Sequence, residues 1–237
     1  METAYRRWIK IGALVTLVGF LLSGPVAVAI ISVVAPQPKW LTADTFVQHY
    51  HPVQQMPYAF GMVLLAGWLI LVSAHWLGYK HVTPGKRIAL SCAAMVTAMF
   101  CTLIFFNYIT QLVFVHQLAT HYRPETAAVL QAFTMANPAS LSWTLEMWGY
   151  ALLGGVTWLL LPVYRDHQLL RWLLPINFFA SLATAIGILA DAGWVLQPTG
   201  IVLYSLWNVL MVLILLCLYY YHRKAMRLET HLLADKS

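Results

Sequence analysis

LSWTLEMWGYALLGGVTWLLLPVYRDHQLLR, residues 141–171, is a long apolar run broken by a basic loop, and it sets the class of the whole chain. Between Leu141 and Tyr164 the only charge is Glu146; Arg165 and Asp166 then open a short polar segment. A helix rising about 1.5 Å per residue crosses a hydrocarbon core of about 30 Å in roughly 20 residues, so this run is long enough to span. Backbone groups in lipid must be bonded within the segment or within a closed barrel. The ten-residue alternation of a barrel strand is absent, so the run reads as a transmembrane helix.

Working outward, five more runs qualify, giving spans at 11–34, 57–78, 88–118, 141–164, 172–195 and 201–222. The expected fold is an all-α polytopic transmembrane bundle of six spans, one transmembrane domain over residues 1–237. Composition agrees: 61% of residues are hydrophobic and 9% are charged, against about a quarter charged in soluble proteins. The pI near 9.3 does not point to nucleic acid, because no basic stripe with interleaved stacking aromatics exists. The lipid bilayer is the expected partner.

Lys and Arg also orient the chain. Arg6, Arg7 and Lys10, then Lys80, Lys86 and Arg87, then Arg165 and Arg171, then Arg223, Lys224, Arg227 and Lys236 all fall on one side. The other side holds Lys39 and Arg123 alone. Cytoplasmic segments carry the excess of basic residues, so both termini are expected in the cytoplasm and the 35–56 and 120–140 segments outside. Trp8, Trp76, Tyr79, Tyr164, Trp172 and Tyr219–Tyr221 mark the inner boundary; Trp40, Tyr58, Trp143, Trp148 and Trp194 mark the outer one. The first run also has the basic start and the Ala27-Val28-Ala29 sequence of a signal peptide, whose removal would leave five spans. Its apolar character continues through Val34, which favours retention. Each outer loop predicts a short interfacial helix, one after Thr42 with Phe46 and Tyr50 on one side, one from Pro124 with Val129, Leu130 and Phe133.

Chemistry is sought among the polar groups inside the spans. Glu2, Asp44, Glu125, Asp166, Glu229 and Asp235 lie in loops or tails, which leaves Glu146 and Asp191. A charged carboxylate at mid-membrane costs about 2.5–3.5 kcal/mol on insertion scales, so both are candidates for function. From helical rise they stand roughly 9 and 10 Å outward of their span centres, at one depth on sequential helices. Ser142, Glu146, Gly149, Tyr150 and Leu153 share a face of the fourth span; Asn177, Ser181, Thr184 and Asp191 form a stripe on the fifth, of which Asn177, Ser181 and Thr184, like Gln111 on the third span, read first as interhelical hydrogen-bond glue. Asn107 and Gln111 lie one turn apart on the third span, Tyr204 and Asn208 on the sixth. Polar side chains in spans face the bundle interior. The expectation is therefore an outward-facing polar cavity among spans three to six, with Glu146, Asp191, Tyr150, Asn107, Gln111, Tyr204 and Asn208 binding a small molecule or a cation.

Other chemistry finds little support. Cys92, Cys101 and Cys217 are isolated within spans and read as small hydrophobes. His49, His51, His116 and His121 fall on the outer side without HxxxH or HExxH spacing, so no metal is expected. His75 and His222 sit at the inner ends of the second and sixth spans, where a haem bridge is one reading and plain interfacial placement the simpler one. No cofactor is expected, and no nucleotide or nucleophile motif occurs. Gly12, Thr16, Gly19 and Ser23 make a small-residue face on the first span, suited to close packing. Pro25, Pro162 and Pro175 should kink or end helices.

Trp148-Gly149-Tyr150, followed by Trp158-Leu159-Leu160-Leu161-Pro162 and a basic loop, resembles a family of uncharacterised bacterial six-helix membrane proteins, a domain of unknown function. About a quarter of the chain carries the resemblance. It implies six spans in a bacterial inner membrane and no activity. Three functions stay open: small-molecule or ion binding and transport, an enzyme acting on a lipid or quinone at the outer leaflet, and an accessory subunit. The chain could act as a homo-oligomer or beside a partner membrane protein.

Overall fold

A computed structural model describes residues 3–79 and 82–234, with side chains described as far as residue 227. Glu2, Lys80, Asp235 and Lys236 of the sequence reading lie outside these residues, and the side chain of Glu229 lies outside them too. The described chain is all-helical, 85% helix without strands. Six helices are long and apolar enough to cross a bilayer: α1 (Thr3–Val34), α3 (Pro52–Gly78), α4 (Pro84–Thr120), α6 (Leu141–Tyr164), α7 (Leu170–Ala190) and α8 (Pro198–Ala234). Two short ones, α2 (Ala43–Gln48) and α5 (Ala127–Phe133), lie in the longer connections.

Local chemistry fixes the helix starts. Proline opens α3, α4 and α8, where its missing N–H is no loss. Ser140 Oγ accepts from Trp143 N at 3.0 Å to start α6, and His167 Nδ1 accepts from Leu170 N at 3.2 Å to start α7. The fifth span ends at Ala190, five residues before the expected 195. The reason is Asp191, whose Oδ1 accepts from Gly193 N at 2.8 Å and folds the chain into an Asx turn.

Packing follows chain order. The pairs in contact are α1–α3, α3–α4, α4–α6, α6–α7, α7–α8 and α8–α1, so the six long helices close into an up-and-down ring. Lipid offers no hydrophobic drive between helices, so close backbone approach matters. On α1, a Cβ at Gly12 would sit 2.5 Å from Leu71 N of α3, and Gly19 is equally tight against Leu64. Across the interface Gly67 abuts the Thr16 backbone. Ser23 leaves this seam, because residues Leu22–Val26 form a π-helical segment containing Pro25. A second π segment, Thr110–Val115, interrupts α4. Pro162 lies in the last turn of α6 and Pro175 near the start of α7, both inside continuous helix.

The loop-bearing end is roofed. Phe46 of α2 and Leu130 of α5 are buried with Val115 and Ala119 of α4, so the two short helices pack on the tip of α4 and on each other. Thr42 caps α2 as its sequence suggests. Tyr50 joins the roof to the bundle, its hydroxyl 2.6 Å from His116 Nδ1 and accepting from Gln55 Nε2 at 3.0 Å. Burial raises the Tyr50 pKa above the usual tyrosine value, against the opposing bond from Gln55.

Candidate functional site

Glu146 lies on the second turn of α6, about 8 Å below its start at the loop-bearing end. It is 6% exposed. Asn107 Nδ2 donates to Oε2 at 2.9 Å, and Tyr108 O–H donates to Oε1 at 2.9 Å. Tyr108 has one proton, so the Tyr150 hydroxyl, 2.9 Å away, donates to it. The result is a directed chain, Tyr150 to Tyr108 to Glu146, with every donor on α4 or α6.

The same α4 face anchors the roof. Gln111 Nε2 donates to Phe133 O at 2.8 Å and to Ser142 Oγ at 3.1 Å, while its Oε1 accepts from Met135 N at 3.0 Å. Asn107 Nδ2 also reaches Ser142 O at 3.1 Å. One helical face thus holds both the acid and the loop above it. Gln111 is a structural tie and does not line the cavity described next.

Beside Glu146 opens a cavity of about 760 Å³. A drug-sized pocket occupies about 300–1,000 Å³. Tyr58 of α3, Tyr108, Trp143 and Tyr150, and Tyr204 and Trp207 of α8 form its aromatic walls. The Tyr150 and Trp207 rings are 4.8 Å apart and those of Tyr58 and Tyr108 5.6 Å apart. Asn208 lines it too, although its amide donates back to Tyr204 O at 2.6 Å. The remaining wall is mainly apolar and comes chiefly from α1, α8 and the turn between α7 and α8, with Pro57 and Leu64 of α3 and Met147 of α6. Several of those residues are also exposed on the flank of the bundle, Val28 at 62%, Leu196 at 57% and Val209 at 56%. The mouth therefore lies between the π segment of α1 and the first half of α8.

Five of the seven expected site residues gather here: Glu146, Tyr150 and Asn107 by hydrogen bonding, Tyr204 and Asn208 across the cavity. Asp191 is a correction. It is exposed, past the end of α7, and both its oxygens are taken locally, by Gly193 N and by Gln197 Nε2 at 2.6 Å. The two carboxylates share no chamber. The α7 residues Asn177, Ser181 and Thr184 behave as the hydrogen-bonding glue favoured for them: Asn177 Nδ2 donates to Thr157 Oγ1 at 3.2 Å, Thr157 Oγ1 donates to Leu174 O, and Ser181 and Thr184 bond their own helix. That is glue between α6 and α7, and no residue of α7 lines the cavity. Spans one and two take the place expected of span five.

Sequence reasoning misses Tyr108, Tyr58 and Trp207. Tyr108 stands three residues before Gln111 on the same helical face, a signal available in the sequence. Tyr58 has the position of an interfacial-belt aromatic and turns instead to the cavity.

A second polar cluster lies at the basic end. His75 Nδ1 donates to Leu71 O at 2.7 Å, so its Nε2 must accept, and the Tyr164 hydroxyl donates to it. Tyr164 then accepts from His222 Nε2 at 2.8 Å. The phenol oxygen occupies the space between the two imidazoles, where a bridging haem iron would stand. Beside them the Tyr79 pKa is pushed up to about 12, by burial first and by Tyr221, against Arg6 and a bond to Tyr164. Among the described residues no three His, Cys, Asp or Glu side chains gather as a metal site requires. No protein-family model, no curated protein and no solved structure matches the chain.

Proposed function

We propose that this is a multi-pass membrane protein that binds a small molecule in the cavity beside Glu146, with the roofed end facing out of the cytoplasm. The observation that carries the reading is one buried carboxylate on α6 held by two donors on α4 at the edge of a 760 Å³ space. An acid in a span could be replaced by a neutral residue at lower cost if it served packing alone. The twelve-to-two distribution of basic residues supports the orientation and, with it, placement in a cell's inner membrane. Transport would be a use of the same site.

The test is native mass spectrometry of the protein released from a mild detergent. A bound mass should accompany the parent, fall away in Glu146→Gln and persist in Asp191→Asn, since Asp191 stands outside the cavity. Equal retention in all three would overturn the reading. The apolar mouth gives some support to a second reading, an enzyme acting on a lipid-like substrate, in which Glu146 is the general base. Turnover of outer-leaflet lipid or quinone by the purified protein, lost in Glu146→Gln, would favour it.

A further inference from the structure

The cavity holds one acid and no base. Among the described residues its lining contains Glu146 and neither Lys, Arg nor His. Both carboxyl oxygens have a hydrogen-bond donor in place, an arrangement that suits the charged form when a ligand supplies a counter-charge. Asn107 and Tyr108 offer dipoles to that charge and no counter-charge, and a buried anion left unpaired is costly. The surrounding wall is largely aromatic, with Tyr58, Tyr108, Tyr150, Tyr204, Trp143 and Trp207 in its lining. Aromatic faces attract cations through their quadrupole, most strongly where water is excluded. The rest of the wall is mainly apolar and reaches the flank between α1 and α8.

We propose that the occupant is a hydrophobic organic cation, an ammonium or phosphonium carrying apolar substituents, whose charge rests between Glu146 and the aromatic walls while its apolar body fills the side towards α1 and α8. The inference rests on the binding reading above and adds the sign of the ligand's charge. A neutral lipid tail would use the aliphatic wall and leave Glu146 unanswered. An anion would meet the carboxylate with nothing positive to receive it.

Three probes of similar shape separate these cases: tetraphenylphosphonium, tetraphenylborate and neutral triphenylphosphine oxide. Equilibrium dialysis against the full chain in an uncharged maltoside detergent, corrected with protein-free micelles, measures each. Tetraphenylphosphonium should bind saturably and about tenfold or more tighter than the other two. Glu146→Gln should weaken it about tenfold, with the phosphine oxide unchanged, and Glu146→Asp should retain most of the affinity. Should Glu146→Gln not fold, Tyr204→Leu should weaken the cation roughly several-fold and spare the neutral probe. If the oxide or the borate binds as tightly as the phosphonium, or Glu146→Gln makes no difference, the cation assignment fails while the cavity remains a binding site. If no probe saturates although the native protein carries a bound mass, the cation assignment fails alone; if neither is found, both readings fail.

Discussion

Tyr164 is 2% exposed and serves two histidines with one hydroxyl. Its replacement by phenylalanine leaves the acceptor Nε2 of His75 and the donor Nε2–H of His222 facing each other without the atom that joined them. An unsatisfied buried group costs about 1–3 kcal/mol, so Tyr164→Phe should lower the melting temperature in detergent clearly. An unchanged Tm would mean that water enters this end. Glu146 follows the same logic with a graded outcome. Glu146→Ala strands the donors of Asn107 and Tyr108 and should cost about 1–3 kcal/mol; Glu146→Gln keeps an acceptor and should cost less, both read by thermal unfolding. At this scale the sequence is legible where a polar residue is rare for its surroundings. Glu146 and Asn107 stand out for that reason. Tyr108 is legible only through its register with Gln111, since tyrosine by itself belongs equally to bundle interior and membrane boundary. Asp191 misleads because apolar residues continue past it to Leu196, whereas a side-chain bond to Gly193 has already stopped the helix.

Helices α1 and α3 meet through glycine, and the contrast between two glycines tests the seam. Gly67 has the Thr16 backbone against it; a Cβ added at Gly24 would meet nothing within 4 Å. Gly67→Leu should therefore force the helices apart, at about 1–3 kcal/mol or more for overpacking. Gly24→Ala should leave Tm unchanged or slightly raised, by up to about 1 kcal/mol, through reduced freedom of the unfolded chain. Equal destabilisation by both would show that the glycines act through flexibility instead of closeness. The small-residue face of α1 is readable because its spacing matches one side of a helix. The change in its use at Ser23 is not readable, because a π segment shifts the facing of every later residue. The roof helices show another limit: their starts are encoded by Thr42 and Pro124, but their docking on α4 depends on contacts distant in sequence.

Six spans in ring order make the molecule a closed wall with its two ends chemically unlike. Basic residues concentrate at one end, and the roof covers the other. On the proposed orientation, Lys39→Cys should react with a membrane-impermeant maleimide in intact cells, in a background with Cys92, Cys101 and Cys217 replaced by alanine. Asp166→Cys should react only after permeabilisation; the reverse pattern would invert the topology. The number of spans follows from hydropathy alone, because lipid punishes any unpaired backbone. The cavity's location does not, since it depends on which neighbours the ring brings together. In that ring every neighbouring pair is tied by a connecting segment except α1 and α8. The enclosure is thus completed only when α8 packs against α1, and until then the acid on α6 faces an incomplete ring. The same untied pair borders the mouth, so side-chain packing alone, with no connecting segment, holds the wall shut beside the cavity.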